Sequence, residues 1–279
     1  MAQGGFSFRR PLGQECPYLD IELDLSFPLL VQIAVNPDFT ILDETDEYIV
    51  VDKPAPLQVH PSKPSDCRTL WHGLRDLLAY ELANGGQISI INRLDRETSG
   101  VVLVAKNRTA ARLFGIAMQE RRIHKTYLAV VHGWPSWEEY DLEAPILRQG
   151  EVMETRIWVK QCVHRDGTPC QTRFRVLRRV NHPDIGPISL VEASPITGRM
   201  HQIRVHLAHL QHSIVGDKIY GRDENAYLEF IEKGWSDALK RTQFTPTHAL
   251  HSNVLSHATI RKNWAADLPE TLRDLLRSV

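Results

Sequence analysis

Asn92-Arg93-Leu94-Asp95-Arg96-Glu97-Thr98-Ser99-Gly100-Val101-Val102-Leu103-Val104-Ala105 passes from a polar loop directly into an unbroken apolar run. A short continuous apolar segment behind a polar loop marks a strand. Residues 100–105 are therefore expected to form one, with the loop feeding directly into it. Asn107 follows at the position of an N-cap, and Ala110, Leu113, Phe114 and Ala117 form one apolar stripe of a helix behind it. The next strand is expected over residues 127–131, closing at Gly133. Upstream, residues 48–51 read as a short buried strand stopped by Lys53-Pro54, since proline has no N–H for a ladder. Leu70, Leu74, Leu77 and Leu78 set a helix over residues 69–82, ended by Asn84-Gly85-Gly86. Downstream, residues 173–176 and 188–193 read as strands joined by a polar loop through Asn181-His182-Pro183-Asp184. Ile203, Leu207 and Leu210 place residues 201–212 on an amphipathic helix. Several gaps between strands are too short for helical crossovers. The expected class is α+β, with a mixed, mainly antiparallel sheet flanked by helices, and not a doubly wound parallel sheet.

The 279 residues, 42% hydrophobic and 24% charged, fit one principal globular domain. We read residues 1–40 as an N-terminal extension and residues 41–279 as the main domain. The longest apolar runs are far too short to cross a bilayer and the amino terminus lacks the order of a signal peptide, so a cytoplasmic protein with no membrane partner is expected. Cys16, Cys67, Cys162 and Cys170 form no close pair, which argues against a zinc ribbon and a disulfide framework. Cys162, His164 and Cys170 fit no common zinc spacing, so no metal is expected. The net charge of −1 conceals a split. Residues 1–50 hold nine acidic side chains against Arg9 and Arg10, a net of −7, which leaves +6 for the remainder. Residues 91–125 alone carry eight Lys or Arg against three Asp or Glu, a local +5. Taken alone, such a stretch is more often a solvated helix face than a nucleic-acid site.

Three segments could carry chemistry. Asp95 lies between Arg93 and Arg96, and nearby positive charge keeps a carboxyl ionised, the state a nucleophile or proton acceptor needs. On spacing alone, a loop salt bridge is the commoner reading. Gly198-Arg199-Met200-His201-Gln202-Ile203-Arg204 opens a helix, with His201 and Arg204 on one face and an anion-attracting start strengthened by Arg199 and Arg204. The spacing of His201, His206, His209 and His212 makes no metal site. Lys125-Thr126-Tyr127 heads a strand beside a basic helix end, where a tyrosine is usually a core residue and less often a base platform. No Gly-x-Ser-x-Gly elbow, dinucleotide fingerprint or phosphate loop is present.

Taken in order, these segments resemble the RluA type of RNA pseudouridine synthase. The likeness runs from Asp46 through Pro54 and Leu57 through Pro61, then Arg93 through Lys106, Lys125 through Gly133, Gly198 through Leu207, Val215 through Gly221, and Ala249-Leu250-His251. The resemblance implies a mixed sheet with a central active-site cleft and a cofactor-free isomerase that flips a uridine out of rRNA or tRNA. It further implies catalytic Asp95 paired with Arg204, Tyr127 near the base, and Arg93 entering the space the uridine leaves. Arg96, Lys106, Lys125, Arg199 and His201 are the other candidate RNA contacts. A monomer is expected. Asn92, Met200, Pro56, Gln211, Ser213 and His257-Ala258 depart from the family pattern without touching Asp95, Tyr127 or Arg204. The residues before the likeness are few and acidic, so no separate RNA-binding module is expected. The rival readings are a non-catalytic RNA-binding or RNA-folding protein on the same scaffold and a nucleoside hydrolase, which would use a second carboxyl group.

Overall fold

The computed structural model describes residues 38–61 and 68–277. Most of the expected 1–40 extension, together with Cys16 and Cys67, lies outside the described residues. The chain runs β1 (Thr40–Glu44), β2 (Tyr48–Lys53), α1 (Leu70–Leu77), α2 (Ala79–Ala83), β3 (Ser89–Ile90), β4 (Ser99–Ala105), α3 (Arg108–Gln119), β5 (Ile123–His132) and β6 (Glu139–Glu143). It continues with β7 (Ile146–Arg148), β8 (Gln161–Val163), β9 (Gln171–His182), β10 (Gly186–Pro195), α4 (Gln202–His209), α5 (Asn225–Lys233), α6 (Asp237–Gln243), β11 (Leu250–His257), β12 (Lys262–Ala265) and α7 (Glu270–Leu275).

Among the described residues one large sheet has the order β1-β2-β4-β11-β5-β10-β9-β6, with β3 on β4 and β12 on β11, and β7 and β8 form a separate ribbon. The pairing of β4 with β11 is parallel, and the remaining pairings are antiparallel. The α+β reading with a mixed, mainly antiparallel sheet is borne out.

All of β4 is buried because both sides of the sheet are covered. Val102 and Val104 enter a core shared with Leu70 and Leu74 of α1 and Ile203 and Leu207 of α4. Val101, Leu103 and Ala105 enter another, with Ala110, Phe114 and Ala117 of α3 and Trp264 of β12. Each buried Val or Leu of the strand contributes about 1.5–3 kcal/mol, which is why the strand is an uninterrupted hydrophobic run. Asn107 caps α3 as expected, its side chain accepting from Ala110 N at 2.9 Å. Leu113, expected on the apolar stripe, sits at its edge and is half exposed.

Three boundaries differ from the sequence reading. The helix expected over residues 69–82 is two helices broken at Leu78, whose backbone leaves helical values. The strand expected over residues 173–176 continues to His182, because Gly186 to Pro195 of β10 pairs with it along its whole length. The helix expected to be amphipathic is shorter and buried on nearly every side from Gln202 to Leu207, wedged between the sheet and the β7–β8 ribbon.

Gly100, at the junction of the Asp95 loop and β4, has φ +108°, and a Cβ there would lie 2.1 Å from the carbonyl oxygen of Ser252 on the parallel neighbour β11. Neither the backbone angle nor the spacing tolerates a side chain. Gly100→Ala is expected to cost about 2–4 kcal/mol and to lower the thermal midpoint by several degrees, measured by calorimetry against the wild type.

Candidate active site

The loop preceding β4 is tied down from several sides. Asn92 donates to Val101 O at 2.9 Å and accepts from Leu103 N at 2.8 Å, so this departure from the family pattern clamps the loop to the strand it feeds. Leu57 N donates to Arg96 O at 2.9 Å. Lys53, fully buried at the end of β2, donates to the carbonyls of Pro54 and Leu57, both at 2.8 Å, and more weakly to Arg96 O at 3.4 Å. Burial pushes the Lys53 amine down to about 7, with the charge of Asp95 working against that shift. Thr98 Oγ1 lies 2.7 Å from His248 Nε2, and Ser99 Oγ lies 2.9 Å from His251 Nδ1.

Asp95 therefore projects from a fixed loop. Its Oδ2 accepts from Arg204 Nη1 at 2.8 Å. The other two corners of the Arg204 fork donate to Asp217, Nε to Oδ2 at 2.7 Å and Nη2 to Oδ1 at 2.9 Å. Asp217 is fully shielded from solvent, and its Oδ1 also accepts from the backbone N–H groups of Ile219 and Tyr220 at 3.0 and 3.1 Å. Burial alone would raise both carboxyls, but the Arg204 guanidinium outweighs it, and both end below the ordinary carboxylate range. Burial likewise works against the Arg204 charge, and Asp217 more than restores it. The bidentate pair is a rigid base, and the third corner of the fork is the handle that holds Asp95.

Asp95, Tyr127, Arg204, His201, Lys125 and Arg199 line one cavity of about 300 Å³, at the small end of the range of ligand pockets. Arg93, exposed, also lines it. Burial pushes the Tyr127 phenol up to about 12, so it is neutral at ordinary pH. His201 has a left-handed backbone, φ 56°, just ahead of α4, with Nδ1 2.8 Å from the Tyr220 hydroxyl and Nε2 3.8 Å from Asp95 Oδ2. Burial pushes this imidazole down to about 4. The helix start expected to attract an anion is filled by the protein's own Gln202, whose Oε1 accepts from Arg199 N at 3.0 Å and from Thr197 Oγ1 at 2.7 Å.

Two expected RNA contacts lie elsewhere. Lys106 is buried, with Nζ 2.9 Å from Glu44 and 2.8 Å from Glu81, so reaching a phosphate would break two ion pairs. Arg96 lies over the ring of Phe230 at 5.9 Å, outside the cavity lining. Asp217, Lys53 and His248 received no role from the sequence. The signal for Asp217 was available: a carboxylate enclosed by Ile214-Val215 and Ile219-Tyr220 must be buried, and a buried charge requires a partner.

Asp217 is consumed by Arg204 and does not line the cavity, so among the described residues Asp95 is the carboxylate that faces it. A hydrolase working with a pair of carboxyl groups is poorly served by that arrangement.

A sequence profile of RNA pseudouridylate synthases matches residues 47–209, more than half of the 279 residues. The chain belongs to the RNA pseudouridylate synthase family. The RluA-type resemblance carried by the motifs is borne out with it. Ribosomal large subunit pseudouridine synthase D of Nitrosomonas europaea is 34% identical over 247 residues, covering 86% of this chain and 64% of that protein. Ribosomal large subunit pseudouridine synthase C of Escherichia coli is 35% identical over 199 residues, covering 71% of this chain and 57% of that one. The chain thus spans about three fifths of the length of these two relatives. Among solved structures, Human RNA Pseudouridylate Synthase Domain Containing 4 superposes with a TM-score of 0.64 at 24% identity, covering 85% of this chain and 91% of that one. That likeness is one of fold. Among the described residues no helix is long and apolar enough to cross a membrane.

Burial also pushes His132 down to about 4 and His248 down to about 3. As pH falls from about 6.5, the unfolded chain protonates these imidazoles and His201 while the folded chain does not. Stability is therefore present above about pH 6.5 and is lost as pH falls toward 4. Below about pH 4 the depressed carboxyl of Asp217 adds a further loss. His248→Asn is expected to flatten the upper limb by up to about 1.4 kcal/mol per pH unit, read from denaturant midpoints between pH 7 and pH 4.

Proposed function

We propose that this chain is an RNA pseudouridine synthase that isomerises uridine in ribosomal RNA without a cofactor. The observation that carries this reading is Asp95 held as a carboxylate by Arg204 at 2.8 Å, in a cavity lined by Tyr127. The ribosomal substrate follows from the names of the relatives, which are large-subunit ribosomal enzymes. We take residues 41–279 as the catalytic unit and place the protein in the cytoplasm as a monomer.

In stacked RNA the glycosidic bond is out of reach, so the uridine must first leave the stack. The cavity admits one nucleotide, and the exposed Arg93 is positioned to fill the gap left behind. Asp95 then either attacks the sugar or base or removes a sugar proton, and the bond between carbon 1′ and nitrogen 1 breaks. The uracil turns and rejoins through carbon 5; the bond to Asp95 then breaks, or on the other route the sugar proton returns. The loss of the carbon 5 proton is matched by a proton gained at nitrogen 1. The product is an isomer, and no water is consumed, so one open carboxylate suffices. Tyr127 lies beside the base in this reading, and its neutral phenol relays the carbon 5 proton by passing its own to solvent water as it accepts. Lys125 and Arg199 supply positive charge at the cavity for the flanking phosphates.

Large-subunit ribosomal RNA labelled with tritium at carbon 5 of uridine is expected to lose label to water with the wild-type protein. Asp95→Asn should slow this about a thousandfold or more while leaving the thermal midpoint within a few degrees. Equal release by the variant would remove Asp95 from the chemistry. Free uracil among the products would replace isomerisation with hydrolysis.

A further inference from the structure

The loop between β7 and β8 carries an aromatic group that the catalytic reading leaves unused. Trp158 is 75% exposed, the second most exposed large hydrophobic residue among those described, after Tyr80. Its neighbour Ile157 is 1% exposed and packs with Ile146, Cys170, Val205, Ile219 and Tyr220. The backbone thus clamps one residue inward and forces the next outward, so Trp158 is presented from a rigid base. The Arg148 guanidinium lies 3.9 Å from the centre of its ring, and Glu151 Oε1 is 3.5 Å from Arg148 Nε. Arg156, two residues before Trp158, is also exposed and forms no ion pair among the described residues.

The loop ends beside the catalytic cavity. Gln161 N donates to the Tyr220 hydroxyl at 2.9 Å, and that hydroxyl meets His201 Nδ1 at 2.8 Å. Gln161 Nε2 also reaches Met200 Sδ at 3.8 Å, between Arg199 and His201 of the cavity wall. Trp158 is three residues from Gln161, a span of at most about 11 Å, or roughly three stacked nucleotides.

We propose that Trp158, backed by Arg148, is a stacking platform for an unpaired base of the substrate RNA a few nucleotides from the flipped uridine. Unpaired bases stack on aromatic and guanidinium planes without regard to sequence, and the cations beside the ring suit a polyanion. This inference rests on the reading of the chain as an RNA pseudouridine synthase. It adds that the target uridine has unpaired neighbours on the side facing the β7–β8 loop.

The test is tritium release from carbon 5-labelled large-subunit ribosomal RNA transcript, free of other protein, by wild type, Trp158→Ala and Trp158→Phe. Trp158→Ala is expected to raise KM about tenfold or more with kcat within about twofold, and Trp158→Phe to recover most of the loss. The thermal midpoint should not move, because the side chain is exposed. An unchanged KM for Trp158→Ala overturns the platform while leaving the catalytic reading standing. A fall in kcat with unchanged KM overturns it as well, as does a defect seen only with ribosomal particles and absent with naked RNA. No release by the wild type would instead remove the catalytic reading itself.

Discussion

One guanidinium shared between two carboxylates organises this molecule. Arg204 is almost completely buried, and a charge in that position is tolerated only when its donors are matched by acceptors. Asp217 meets this need with two oxygens, and its own remaining capacity is taken by the N–H groups of Ile219 and Tyr220. The Tyr220 ring, 5.0 Å from the guanidinium carbon, covers it. The fork cannot turn without breaking these contacts together. Its one free corner therefore lies at a set place, and Asp95 is drawn to it as an ionised acid.

The scaffold serves that geometry from both sides. Asp95 sits just before β4, an interior strand, and its loop is held by Asn92, Lys53, Thr98 and Ser99 through bonds to β4 itself, to β2 and to the β11 region. Arg204 sits in the stretch of α4 that is buried from Gln202 to Leu207, so its backbone has little freedom. A carboxylate and its partner fixed this way need little rearrangement when charge moves during a reaction, which is the general advantage of a preorganised site. The neutral imidazoles of His201 and His248 and the neutral phenol of Tyr127 surround the carboxylate with dipoles and add no competing charge.

Charge is distributed to match. The chain as a whole is nearly neutral, yet the cavity is lined by Arg93, Lys125, Arg199 and Arg204 against Asp95. Several acids of the N-terminal half face cations or donors of the protein itself. Glu44 pairs with Lys106, and Asp43 accepts from Trp264, Tyr48 and Lys262. Asp43 and Glu44 thus knit the edge of the sheet.

How much of this was legible follows from where the information lies. The strands at residues 48–51, 100–105, 127–131 and 188–193, the Asn107 cap and the sheet class could be read directly, because local periodicity and capping reflect contacts a segment must make wherever it is placed. The pairing of Asp95 with Arg204 came only with the family likeness. β11 escaped because His251 and Ser252, buried on its two opposite faces, are polar groups satisfied by Ser99 and by Val101 O of β4, and they erase the hydrophobic alternation. α4 looked amphipathic because a helix pattern cannot report the β7–β8 ribbon that covers its other side. Lys106 looked like a candidate for RNA, since a sequence shows a charge but not the Glu44 and Glu81 that neutralise it. Local chemistry was written in the order of residues, while the convergence of positions 95, 127, 204 and 217 required the sheet to bring β4, β5 and α4 together, since long-range proximity leaves no periodic trace in a chain.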